Sequence, residues 1–204
     1  MTAVITKDVA RITSSILHPY LFLSVVVGMI AYQNSPVLAL WAKWAIVTLL
    51  TAYLLPVIYM RLRIYTLSHT TGVQSDLHHF FRERPLEMAV LACIFGIPST
   101  ALIYYLNYPS SIIATIVAVA VTTLVIALTN LVYRASFHLA LFSSATVPLM
   151  ITFGLPALTV LPFMFLLGTA RYYLGEHTPL QLTAGFFIGV VVTATVFYGF
   201  GILK

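Results

Sequence analysis

The chain has 204 residues, of which 61% are hydrophobic and only 7% charged, and its mean hydropathy is +1.02. Soluble domains are about half apolar and about a quarter charged, so these figures exclude a water-soluble globular protein. The formal charge of +5 comes with no basic run interleaved with aromatics. It therefore points to the positive bias of cytoplasmic membrane loops rather than to nucleic acid.

The N-terminal stretch "MTAVITKDVARITSSILHPY" carries Lys7, Asp8 and Arg11 but lacks the small-residue cleavage site of a signal peptide. Beyond it, apolar runs long enough for spanning helices (about 20 residues at about 1.5 Å each) fall at roughly 17–33, 37–60, 87–106, 110–133, 138–154, 156–173 and 179–202. "QNSP" at 33–36, "NYPS" at 107–110 and "FGLP" at 153–156 separate them with turn formers. The expectation is one integral membrane domain over 1–204, an all-α polytopic transmembrane helical bundle of six to seven spans. Between the second and third spans lies a polar segment, 61–86, whose Leu77, Phe80, Phe81 and Arg84 have the spacing of an amphipathic interfacial helix. Cys93, alone in the chain, excludes an internal disulfide and reads as buried filler. Gly168, Gly185 and Gly189 read as close helix contacts. Thr178 and Pro179 read as the start of the last helix, and Tyr172 and Tyr173 as part of an interfacial aromatic belt.

A crossing at every span gathers the chemistry at one face. Lys7, Arg11, Arg61, Arg63, Arg82, Arg84, Arg134 and Arg171 fall there, with Lys43 and Lys204 near the other. That asymmetry favours a cytoplasmic position for the crowded face. Setting aside the four arginines kept for chemistry (Arg82, Arg84, Arg134 and Arg171) leaves a smaller bias of the same sign. All five acids lie on this side, as do His69, His78, His79, His138 and His177, and His18 opens the first span. His18, His69, His78 and His79 read as structural histidines.

Two short stretches, "RASFH" at 134–138 and "RYYLGEHTPLQ" at 171–181, each put an arginine and a histidine at the edge of a span. A charge in hydrocarbon costs about 2.5–3.5 kcal/mol on insertion scales, so such residues face a cavity or a partner. Arginine holds phosphate through paired hydrogen bonds, and histidine serves as nucleophile or general acid. Converging at one depth, they would make an anion site suited to phosphoryl transfer from a lipid.

The same residues carry a resemblance. Ala170, Arg171, His177 and Gln181 have the spacing of the closing signature of the type 2 phosphatidic acid phosphatase superfamily, which reads Ser-Arg, five residues, His, three residues, Asp. "ASFH" is similar to its Pro-Ser-Gly-His, keeping Ser136 and His138, and "RERP" resembles the Arg-Pro of its first signature, giving Arg84 and Pro85. The resemblance covers the chain from about residue 76 to the end and looks most like small bacterial members. It implies a multi-pass protein of the bacterial inner membrane that hydrolyses a phosphate monoester or diphosphate of an isoprenoid or glycerolipid. His177 would be the nucleophile, forming a phosphohistidine, and His138 the general acid. Arg171, Arg84 and Ser136 would hold the phosphoryl oxygens without any metal or other cofactor. The chain departs from the pattern at Leu77, where the family has lysine, at Phe137 for glycine, and at Gln181 for aspartate. Arg82 or Arg134 would supply the missing charge. Gln181, four residues after His177, would share its helix face and fix its tautomer.

Two functions follow. One is a lipid phosphatase whose partners are the bilayer and the lipid phosphate. The other is a catalytically degenerate accessory subunit of a membrane complex on the same fold, to which the three departures point. A haem or pigment held axially by the histidines is a third class, distinguishable by an absorbance spectrum.

Overall fold

The computed structural model describes residues 2–35, 37–71 and 84–203, with backbone alone for 2–6 and 71. Among the described residues all regular structure is helical. Helix α1 runs Thr2–Ile16 and α2 Pro19–Asn34; α3, Leu38–Leu49, passes through a π turn at Leu50–Leu54 into α4, Leu55–Thr71. Then come α5 (Pro85–Tyr105), α6 (Ser110–Thr129), α7 (Phe137–Phe153), a 3₁₀ segment at Leu155–Val160, α8 (Leu161–Tyr173) and α9 (Pro179–Gly199). Six of the described helical segments are long and apolar enough to cross a membrane, and Phe137–Phe153 is a shorter apolar helix. The protein is therefore an integral membrane helical bundle, and the break expected near 154 is real. Gly154 sits there at φ 66°, a left-handed conformation that glycine adopts without steric cost.

Three features depart from the sequence reading. Helix α1 has no counterpart among the expected spans; Ala10 and Ser14, four residues apart on one face, are buried while Val9, Ile12 and Ile16 are exposed, and α1 packs along α8. The second span continues beyond residue 60 as helix to Thr71. The amphipathic helix expected from Leu77 onward lies almost wholly outside the described residues. Cys93 is exposed on α5 rather than buried, because a helix apolar on every side carries no sequence signal for which side faces lipid.

The π turn has a local cause. Pro56 has no N–H to donate to the Ala52 carbonyl, and its ring crowds that oxygen. The helix widens instead, and the Leu55 N–H reaches the Leu50 carbonyl five residues back.

Helix α7 lies at the centre, with twelve of its seventeen residues buried, His138 among them. Helix α9 presses against it through Gly185 and Gly189. A Cβ at Gly185 would overlap the Ser136 carbonyl oxygen, and one at Gly189 would overlap the Ala140 carbonyl and Ser143 Oγ. Between helices in a bilayer there is no hydrophobic drive, so close backbone approach and hydrogen bonds hold them together. Ser143 Oγ donates to the Phe186 carbonyl (3.0 Å), and Ser144 Oγ accepts from Thr122 of α6 (3.3 Å) and Thr193 of α9 (2.8 Å). Gly168 does not share this role, since a Cβ there meets open space.

Candidate anion site at one end of the bundle

The central packing brings three helix N-termini together. Ser136 caps α7, its Oγ accepting from the Leu139 N–H at 3.4 Å. Thr178 caps α9 in a capping box: its Oγ1 accepts from the Gln181 N–H (3.4 Å), and the Gln181 Oε1 accepts from the Thr178 N–H (3.1 Å). The two caps are joined by the Ser136 N–H, which donates to the Gln181 carbonyl at 3.0 Å. His18 caps α2, with Nδ1 accepting from the Tyr20 N–H at 3.4 Å and Pro19 in the first turn. Its ring meets His138 edge-on, the centroids 5.5 Å apart.

Arg171 ends α8 beside this junction. It is 3% exposed. Nη1 donates to Ser14 Oγ of α1 at 3.3 Å, and Nη2 pairs with the Glu176 carboxylate. Its field also reaches the His18 ring. Helix N-termini carry partial positive charge, so α2, α7 and α9 add to the guanidinium in a setting that favours an anion. Among the described residues, Glu176 supplies a carboxylate to Arg171, and its side chain remains 32% exposed.

Of the residues singled out from sequence, Arg171, Ser136, His138 and Gln181 are thus drawn to one end of the bundle. His177 lies between Glu176 and the Thr178 cap, half-buried. It precedes the helix rather than opening it, so the shared helix face expected for His177 and Gln181 does not exist. Gln181 is the third residue of α9, and its amide oxygen is spent on the cap. Arg84 occupies the position just before α5 without a side-chain cap bond; its Nη1 pairs with Glu87 at 2.6 Å, and Arg63 approaches the same carboxylate at 3.7 Å. Arg134 is exposed in the turn before α7, and Arg82 lies outside the described residues.

Sequence reasoning missed Ser14, His18 and Glu176. Ser14 belongs to a helix that was not foreseen. Glu176 lies not on a helix but in a turn over residues 174–178, with Gly175 at φ 71°. That turn brings the Glu176 N–H back to the Arg171 carbonyl (3.2 Å) and its carboxylate to the guanidinium.

From His18 a row of rings leads inward. Tyr20 stacks on His18 at 5.3 Å, and Tyr53 of the π turn meets Tyr20 edge-on at 6.5 Å. Tyr20 and Tyr53 also border a cavity of about 60 Å³, shared with Pro56, Met60, Phe95 and Gly96. Among the described residues, no group of three or more His, Cys, Asp or Glu side chains is placed to hold a metal ion. Comparison with family models, curated proteins and solved structures finds no match to the chain.

Proposed function

We propose that this end of the bundle binds the phosphate head of a membrane lipid, and that the protein is a lipid phosphatase acting on a phosphate monoester or diphosphate of an isoprenoid or glycerolipid. One observation carries the reading: a guanidinium 3% exposed sits beside three converging helix N-termini and two histidines in contact. A buried arginine requires an anionic partner. Glu176 fills that place in the resting protein, and a phosphate would exchange with it, its oxygens shared between Arg171 and the Ser136 hydroxyl. That hydroxyl accepts in the cap and keeps its hydrogen to donate.

In this reading a ring nitrogen of His177 attacks phosphorus and the bond to the lipid oxygen breaks. His138 gives its proton to that leaving oxygen. Water then attacks the phosphohistidine, His138 takes a proton from the water, and phosphate leaves. Arg171 stabilises the charge that grows on the equatorial oxygens. The cavity beyond Tyr20 accepts part of the apolar tail. The charge bias supports a cytoplasmic position for this face in the bacterial inner membrane.

The alternative, a degenerate accessory subunit, is favoured by a different observation: Arg171 already holds a carboxylate, and Gln181 is committed to its cap. The two readings part on turnover. Detergent-solubilised protein should release phosphate from phosphatidate or isoprenyl diphosphates, and His177→Ala should abolish the release. Full turnover by His177→Ala would remove the assigned nucleophile. An inactive wild type that co-purifies with a larger membrane partner would favour the subunit.

A further inference from the structure

His18 belongs to no signature and reads from sequence as an ordinary residue at the start of a span. Its surroundings are not ordinary. It is half-buried at the break between α1 and α2, with its Nδ1 tied to the Tyr20 N–H and its ring flat against Tyr20, 26° between the planes. The Phe22 N–H closes the first turn on its carbonyl at 3.1 Å, and Pro19 fixes the backbone that follows. Because Nδ1 is used as an acceptor, the neutral ring carries its proton on Nε2. Tautomer and orientation are both set by the α2 cap.

This anchored ring stands at 81° to that of His138, edge against face, with the centroids 5.5 Å apart. His138 is 5% exposed and is the second residue of α7. One side of its ring is therefore bounded by a group that the α2 cap and the Tyr20 ring restrain. We infer that His18 is a positioning residue of the anion site, holding the His138 imidazole in the orientation from which it exchanges a proton with a bound phosphate ester. The catalytic part of this inference rests on the phosphatase reading; the control of the His138 ring does not.

The experiment separates the cap from the ring contact. His18→Asn keeps a side-chain acceptor suited to an N-cap and removes the ring. His18→Phe keeps a ring and removes the acceptor. Imidazole ¹⁵N spectra of the solubilised full chain, with the His138 signals identified by their loss in His138→Asn, report that ring directly. In His18→Asn the His138 signals should shift while the melting temperature stays near wild type. In the phosphatase assay kcat should fall about tenfold with KM unchanged, and His18→Phe should recover part of that loss. Unchanged His138 signals in His18→Asn would overturn the inference, whatever the turnover. Shifted signals in a wild type that hydrolyses no lipid phosphate would uphold the positioning role and discard the phosphatase reading alone.

Discussion

Glu176→Gln tests the electrostatics of the site most directly. The substitution keeps the shape of the side chain and removes its charge. Arg171 would lose the charge of its Glu176 partner while remaining 3% exposed. Removing one partner of a fully buried ion pair costs about 3–5 kcal/mol. Water reaches Glu176, whose side chain is 32% exposed, and glutamine still accepts one hydrogen bond, so about half of that, ~2 kcal/mol, is expected. This corresponds to roughly 30-fold in the ratio of folded to unfolded protein and about 4–8 °C in melting temperature for a chain of this size. An anion that fills the place of the carboxylate should restore the loss. A ligand present at 100 times its Kd stabilises by about 2.7 kcal/mol. Wild type should gain less from the same phosphate concentration, because its own carboxylate competes. The assay is thermal unfolding in detergent with inorganic phosphate, and with chloride at matched ionic strength. A Glu176→Gln protein as stable as wild type, or one equally stable in phosphate and in chloride, would refute the assignment of Arg171 as an anion subsite held by Glu176.

Gly189→Ala should destabilise the bundle by about 1–3 kcal/mol, as overlap with the Ala140 carbonyl and Ser143 outweighs the roughly 1 kcal/mol that alanine gains in helix propensity. Gly168→Ala, with open space beside it, should be neutral or stabilising by up to about 1 kcal/mol; equal effects at the two sites in chemical or thermal unfolding would contradict the close packing of α7 and α9. Thr178→Ala should cost about 1 kcal/mol through loss of the cap, and Thr178→Ser almost nothing, read from the same unfolding curves. Ser144→Ala deprives Thr122 and Thr193 of their shared acceptor and should cost about 0.6–1.7 kcal/mol, checked by a double-mutant cycle with Thr193→Val.

Much of this protein is written in local chemistry. Runs of apolar residues as long as a bilayer is thick announce the spanning helices, since no other regular structure satisfies the backbone of a single segment in hydrocarbon. The breaks at 107–109 and 154 follow from proline and glycine in the same local way. Thr178 and Pro179 mark a helix start because a cap needs only its own neighbours. Arg171 and His138 stand out because charge is scarce around them. None of these inferences depends on what a residue meets across the bundle.

The assembly of the site does depend on that. Nothing in the residues around His18 says that its ring will lie against His138, 120 positions further on, or that Ser14 will reach Arg171. Those contacts exist because α1 lies along α8 and because α9, stripped of side chains at Gly185 and Gly189, can draw close to α7. The turn at Gly175 returns Glu176 to Arg171 and makes a carboxylate, rather than solvent, the resting partner of the guanidinium. Sequence by itself thus determined a helical membrane protein and marked the scarce polar side chains at the ends of its helices. The tertiary structure alone decided which of them meet, because helices in lipid are matched by backbone proximity and paired polar groups, and an apolar helix surface carries no signal of which neighbour it will touch.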